Sequence, residues 1–202
     1  MADSAPPPPS PQQPFYGKVP SDKLIHKGDR VDLVLRTVTT NSGKTIIREV
    51  CLHRGAVIIL PVLSDGRIVL IRNRRHTVFD TLLELPAGTL EYASEPGQPG
   101  DPTEDPARAA ARELAEETGY TAATIAPFGW FYTSPGILTE KMYAFLATDL
   151  SLGTQDLEDN EQIQVKLLTR TDILQLIHEN RIVDAKTIAT LLKYFLSASL
   201  AK

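Results

Sequence analysis

Several features that define other classes of protein are scarce in this 202-residue sequence. A single cysteine, Cys51, excludes an internal disulfide and any metal site built from several cysteines. Lys and Arg total 21 against 25 Asp and Glu, whereas a nucleic-acid-binding protein is usually basic. The longest apolar run covers residues 56–63, far short of the roughly 18 residues that span a bilayer. We therefore expect a protein that binds neither nucleic acid nor membrane.

Two segments lack the apolar side chains that a folded core needs. Residues 1–14 contain six of the 15 prolines, so we expect a disordered tail; a polyproline ligand for a recognition domain is the alternative. This N-terminus also lacks the basic and apolar regions of a signal peptide, so we expect a cytoplasmic protein. Residues 93–106 contain four prolines and two glycines, which predicts a surface loop inserted within the domain at about 93–103.

Strand patterns dominate the first half of the remaining sequence. Two hairpins are predicted, with turns at 41–43 and 64–66 and strands at 30–37, 45–52, 56–63 and 67–73. Later strands are expected at 126–132, 142–148 and 163–168. None of the four histidines belongs to a metal-binding motif, so each is expected to be structural.

Three helices are predicted. The first begins sharply, because Asp105 is a good N-cap and Pro106 fits the first helical position, and it stops at Gly119. The second is capped by Thr171 or Asp172, and the third begins near residue 184. The third helix carries an apolar stripe at helical spacing that we expect to face the core: Ile188, Leu191, Leu192, Phe195 and Leu196. This order of elements predicts an α/β or α+β fold with a mixed sheet covered by helices.

The first helix carries the most informative chemistry. Glu113, Glu116 and Glu117 are spaced at i, i+3 and i+4, so one helix face bears three carboxylates. They lie near the helix C-terminus, where the macrodipole disfavours negative charge. We therefore expect a compensating cation, and Mg²⁺ takes oxygen ligands together with substrate phosphates. A solvated acidic face is the alternative.

These residues carry a family resemblance. Residues 112–120, RELAEETGY, match the second half of the Nudix box, and Glu104 stands where the box has its earlier Glu. Position 98 is Gln where the linear pattern has its first Gly, and Gly88 in LPAG is the natural candidate, which implies the insertion at about 93–103. The resemblance implies the Nudix α/β/α sandwich at 55–202, preceded by antiparallel strands at 15–54.

Four further segments are similar to the ADP-ribose pyrophosphatase branch of this family. They are REV at 48–50 with RGAV at 54–57, VLIRNRR at 69–75, SPG at 134–136 with Glu140, and IVDAKT at 182–187. The same features occur in GDP-mannose pyrophosphatases, so the resemblance leaves both substrates open. The segment 30–55 contains no aromatic residue to stack on a base, which departs from several relatives.

The resemblance also implies residue roles. Glu113, Glu116 and Glu117, with the carbonyl of Ala87, would bind Mg²⁺ or Mn²⁺. Glu161 would be the general base, from the acidic loop 156–161, and Glu116 is the next candidate. The implied substrate contacts are Arg48, Arg75, Gly88 and Glu140. The implied structural residues of the box are Glu104, Arg112 and Gly119, with Arg112 pairing with Glu104 or Glu116.

The function implied by the resemblance is hydrolysis of the pyrophosphate bond of ADP-ribose or an ADP-sugar, giving AMP and a sugar phosphate. The relatives build their site across a homodimer, so we expect one here. A pyrophosphatase of GDP-mannose or another nucleotide sugar is one alternative, and a non-catalytic nucleotide sensor is a second. A sensor would be expected to lose box carboxylates, and this sequence retains all of them.

Overall fold

The structure, a computed structural model, describes residues 21–91, 104–157 and 161–200, without the side chains of 198–200. The tail predicted at 1–14, the insertion predicted at about 93–103 and the loop residues 158–160 lie outside these ranges.

Within the described ranges the chain forms ten strands and three helices. The strands are β1 (Asp22–Lys27), β2 (Val31–Thr39), β3 (Thr45–His53), β4 (Ala56–Pro61), β5 (Ile68–Arg75), β6 (Asp80–Glu84), β7 (Ala87–Thr89), β8 (Tyr120–Tyr132), β9 (Lys141–Leu152) and β10 (Ile163–Leu168). The helices are α1 (Pro106–Thr118), α2 (Arg170–His178) and α3 (Ala185–Leu200).

The strands form three sheets. The first is antiparallel, in the order β1-β2-β3. The second has the order β10-β5-β6 and is also antiparallel. The third has the order β7-β4-β9-β8, and it is mixed because β4 and β9 run parallel while β7 and β8 are antiparallel to their neighbours. The predicted class, a mixed sheet with N-terminal antiparallel strands, is confirmed.

The prediction of a second hairpin was wrong. Its turn forms, since Gly66 N donates to Leu63 O and Leu63 N donates to Arg67 O, each at 2.9 Å. However, β4 pairs with β7 and β9, whereas β5 pairs with β6 and β10, and one bridge joins Val62 to Ile68. β4 and the first four residues of β5 are apolar on both faces, which suits the position of each as an inner strand of a different sheet.

Helices cover both faces of the mixed sheet. On one face, Ala110 and Leu114 of α1 pack in a cluster with Val57 and Ile59. On the other face, side chains of α2 and α3 pack in a cluster with Ile58 and Leu60, and the buried ones are Ile173, Leu191 and Phe195. Successive residues of β4 therefore enter opposite clusters, as the alternation of a strand requires. This arrangement gives three layers, helix, sheet and helix.

Two helix predictions need correction. The N-cap of α2 is Thr169, which forms a capping box with Asp172, and not Thr171 or Asp172 itself. In α3, Leu191 and Phe195 are buried as predicted, but Leu192 is 37% and Leu196 63% exposed. The core-facing stripe is therefore narrower than the sequence pattern indicated.

The N-terminal sheet begins with β1, which the sequence did not reveal because four of the six residues in DKLIHK are polar. Leu24, Ile25 and Ile47 in this sheet are each at least 49% exposed. Cys51 joins the sheet to the loop before β9, since its N–H donates to Ile137 O at 2.8 Å and its carbonyl accepts from Thr139 N at 3.0 Å. Across the described part of the chain, no helix has both the length and the apolar composition needed to cross a bilayer.

Candidate active site

The caps of α1 place its carboxylates. Asp105 accepts hydrogen bonds from the N–H groups of Ala107 and Arg108, and Pro106 occupies the first turn. Gly119 ends the helix in the left-handed region at φ 74°, with its N–H on Ala115 O at 2.8 Å. The predicted limits of this helix are confirmed. Glu113 and Glu117 therefore lie one turn apart on the same side of α1.

The short strand β7 contacts both of these carboxylates. Glu117 accepts a hydrogen bond from Ala87 N at 2.9 Å. A Cβ atom at Gly88 would lie 1.8 Å from Oε1 of Glu113, so any larger residue would displace that carboxylate from its place against the backbone. The prediction that Gly88 replaces the glycine missing at position 98 is therefore consistent with the geometry. The backbone of Ala87 and Gly88 together with the carboxylates of Glu113 and Glu117 makes up the acidic cleft.

Burial makes this cleft electrostatically unusual. It raises the pKa of Glu113 to about 7, with Glu116 and Glu161 adding to the effect and Arg112 opposing it. The side chain of Glu117 is buried, and burial raises its pKa well above the ordinary value, again with help from Glu113 and Glu161. Two adjacent carboxylates thus carry an unfavourable negative charge when both ionise.

Arg112 forms ion pairs with three carboxylates on or just before α1. Its guanidinium lies 3.0 Å from Glu104, 3.0 Å from Glu113 and 2.9 Å from Glu116. Both ion pairs anticipated for Arg112, with Glu104 and with Glu116, are therefore present. Glu104 N also donates to Glu91 O at 2.8 Å, which closes the base of the segment 92–103. Arg112 ties that base to the helix.

A divalent metal fits the chemistry of this cleft. Its carboxylate oxygens are the ligands that Mg²⁺ prefers, and a cation would relieve the repulsion between Glu113 and Glu117. Among the described residues, no three His, Cys, Asp or Glu side chains are already arranged to hold a metal ion. In this arrangement Arg112 and the N–H of Ala87 hold the carboxylates instead.

The loop after β9 brings Glu161 close to this cleft. Its near end is fastened to the last turn of α1, because the amide of Gln155 donates to Glu117 O at 2.6 Å and Asp156 N donates to Glu116 O at 3.0 Å. Glu161 is half buried just before β10, and its charge contributes to the raised pKa values of Glu113 and Glu117. In the sequence, this link between Glu161 and α1 was implied only by the family resemblance.

Comparison with known proteins agrees with this geometry. A model of the NUDIX domain matches residues 52–191. The chain belongs to the Nudix family. The chain is 36% identical over 172 residues to the ADP-ribose pyrophosphatase of Bacillus subtilis (strain 168), covering 84% of this chain and 88% of that protein. It is 33% identical over 176 residues to the methanol dehydrogenase activator of Bacillus methanolicus, covering 86% and 90%.

The Nudix fold is also found in a solved structure. A crystal structure of an ADP compounds hydrolase superposes with a TM-score of 0.73 at 20% identity, covering 94% of this chain and 96% of that one. This likeness concerns the fold alone.

The structure separates the residues expected to contact substrate. Gly88 lies in the acidic cleft. Arg75 lies on β5 and forms a bidentate ion pair with Glu84, with N–O distances of 2.9 and 2.6 Å. Arg48 is exposed on β3 in the N-terminal sheet. Glu140, next to β9, accepts from the Thr133 hydroxyl. Within the described residues, no hydrogen bond or ion pair joins Arg48 or Glu140 to the carboxylates of α1, so their roles stay predictions.

The structure gives three charged or titratable residues, Glu84, Lys186 and His53, contacts that were not predicted from the sequence. Glu84 is wholly buried between Arg75 and Lys186. His53 is 7% exposed and its Nε2 lies 3.5 Å from Glu140 Oε1, while burial lowers its pKa. The sequence did contain a signal for Glu84, because it is a charged residue within the apolar strand pattern LLELP, and a charge buried in that way needs partners of opposite charge.

Proposed function

We propose that this Nudix protein hydrolyses the pyrophosphate bond of ADP-ribose or an ADP-sugar, with Mg²⁺ or Mn²⁺, to AMP and a sugar phosphate. The observation that carries the proposal is a pair of carboxylates, buried Glu117 and partly buried Glu113, against the backbone of Ala87 and Gly88. The substrate class is supported by the identity of 36% to an ADP-ribose pyrophosphatase over most of both chains.

Glu113, Glu116 and Glu117, with the carbonyl of Ala87, are the residues that would hold the metal. When bound, the metal would neutralise charge on the pyrophosphate and lower the pKa of the attacking water. Glu161 would accept the proton of that water, since its charge already influences Glu113 and Glu117. Water attacks one phosphorus, the bridging P–O bond breaks, and the sugar phosphate and AMP separate.

Other residues would bind and orient the substrate. The Arg75 guanidinium is held rigidly by Glu84, and its free edge suits a phosphate oxygen. Gly88 would let the substrate approach the backbone, and Arg48 and Glu140 would contact the rest of the nucleotide sugar. In this proposal residues 15–54 complete the site of a second copy in a homodimer, which the exposed apolar residues of the N-terminal sheet favour.

A regulatory role is the second candidate, because one relative of similar length is a methanol dehydrogenase activator. A pure nucleotide sensor has no need for a buried carboxylate pair that costs folding free energy. Both carboxylates are present, with Glu117 buried and the side chain of Glu113 only 12% exposed. We therefore place hydrolysis first, and activation of a partner protein would be an additional use of the same fold.

A substrate panel with phosphate-coupled detection tests the proposal. Purified protein with Mg²⁺ is given ADP-ribose, an ADP-hexose, GDP-mannose and NAD, and products are identified by chromatography. We expect the highest kcat/KM for ADP-ribose, with AMP and ribose 5-phosphate as products. A preference for GDP-mannose would change the proposed substrate but would leave the proposed pyrophosphate hydrolysis unchanged. Absence of hydrolysis of every nucleotide sugar would contradict the proposed function.

A further inference from the structure

A buried cluster of four charges connects the start of α3 to the cleft. Glu84, at the end of β6, has a side chain that is 1% exposed. It contacts two cations, Arg75 at 2.6 Å and Lys186 at 2.9 Å. Lys186 also contacts Asp184 at 2.8 Å. Burial disfavours the charge of Glu84, yet these two cations hold its pKa below the ordinary value. The cluster thus holds two cations and two carboxylates, and removing any one of the four would leave an unmatched charge.

The same turn of α3 fixes the backbone that follows Glu84. Thr187 Oγ1 accepts a hydrogen bond from Leu85 N at 2.9 Å, and Thr187 N donates to Asp184 at 3.0 Å. Two residues further along, Ala87 N donates to Glu117. Lys186 and Thr187 thus hold the strand that carries both the ion pair of Arg75 and the contact to the carboxylate helix.

The charges around Arg75 determine how strongly its guanidinium can attract an anion. Its Nε and one Nη atom are occupied by Glu84, and its side chain is 31% exposed, so its other edge is available to an anion. If Glu84 had Arg75 as its sole cation, the buried carboxylate would cancel most of the positive potential that Arg75 presents. With Lys186 present, the carboxylates of Glu84 and Asp184 face two cations; without it they would face Arg75 alone, and the potential at its exposed edge would become negative.

We propose that Lys186 is a positioning residue for substrate binding: by sharing Glu84, it leaves the Arg75 guanidinium oriented and positively charged toward a diphosphate. This inference rests on the proposed function, because it assumes that a diphosphate binds beside Arg75. It assigns to the C-terminal helix a part in substrate affinity that α3 would not have as a packing element alone.

Lys186→Met tests this assignment, with Lys186→Arg as the conservative replacement and Lys166→Met as a control at an exposed lysine on β10. The probe is methylenediphosphonate, a non-hydrolysable analogue of the group common to all candidate substrates, and calorimetry with Mg²⁺ measures its affinity. We expect Lys186→Met to weaken binding by about tenfold and to raise KM more than it lowers kcat. Lys186→Arg and Lys166→Met should stay within about threefold of wild type.

A double variant separates charge balance from packing. Glu84→Gln together with Lys186→Met removes the buried anion and its second cation, so Arg75 regains its free charge. We expect this variant to bind the probe with an affinity between those of Lys186→Met and wild type, because the unmatched carboxylate is gone while Arg75 loses part of its orienting contact with position 84. If Lys186→Met alone does not fold, the double variant should still bind less than about tenfold more weakly than wild type. Unchanged affinity in a folded Lys186→Met, or a double variant that binds about tenfold more weakly than wild type, would overturn the inference. Either result would leave hydrolysis by the wild type intact, so the two proposals fail separately.

Discussion

Without divalent metal, the stability of this protein should fall as the pH rises, because Glu113 must then ionise in a buried position. Its pKa is about 7 in the folded chain against an ordinary value of 4.5. The unfolded chain therefore releases this proton first, and the contribution of Glu113 is lost as the pH rises through about 7. At about 1.4 kcal/mol per pH unit, the cost reaches roughly 3 kcal/mol near pH 8.

Urea unfolding of wild type and Glu113→Gln in EDTA measures this cost, because glutamine does not ionise. Between about pH 5 and about pH 8 the stability difference should shift in favour of the variant by roughly 2 to 3 kcal/mol. Glu49→Gln, at an exposed position on β3, should show no such shift. Saturating Mg²⁺ should reduce the loss for wild type, since metal binds the ionised carboxylate of the folded state. A difference between wild type and Glu113→Gln that is equal at both pH values would refute this reasoning.

Four further outcomes are expected. Chelator should abolish hydrolysis, and Mg²⁺ or Mn²⁺ should restore it, whereas full activity in chelator would exclude a metal mechanism. In the same assay Glu117→Gln should lower turnover at least about a hundredfold, with an unchanged circular dichroism spectrum. Glu161→Gln should lower turnover about a hundred- to ten-thousand-fold at similar KM while Asp156→Asn retains activity, and an active Glu161→Gln would assign the base elsewhere. Shortening residues 93–102 should preserve metal-dependent hydrolysis, because the hydrogen bond from Glu104 N to Glu91 O joins the two residues that flank the segment. A shortened protein that folds but is inactive would show that the insertion shapes the site. Light scattering should find a dimer, and a fully active monomer would contradict the role of residues 15–54.

Local signals in the sequence were enough to locate the chemistry. Asp105, Pro106 and Gly119 act on backbone groups within a few residues of themselves, so the limits of α1 could be predicted without knowing the fold. The spacing of Glu113, Glu116 and Glu117 then fixed which carboxylates share a face. The Nudix match and the fold class followed from this segment together with the order of strands and helices.

The pairing of buried strands and buried charges was decided only by tertiary structure. The two apolar strands β4 and β5 looked like a hairpin, but a strand apolar on both faces gives no sign of its neighbours, and each entered a different sheet. Glu84 and Lys186 are separated by 102 residues in the chain, and Glu161 lies far in sequence from the helix whose carboxylates it influences. A carboxylate has the same identity in the sequence whether it is solvated or buried. Its charge becomes costly, and its partners therefore necessary, only when the folded chain removes it from water.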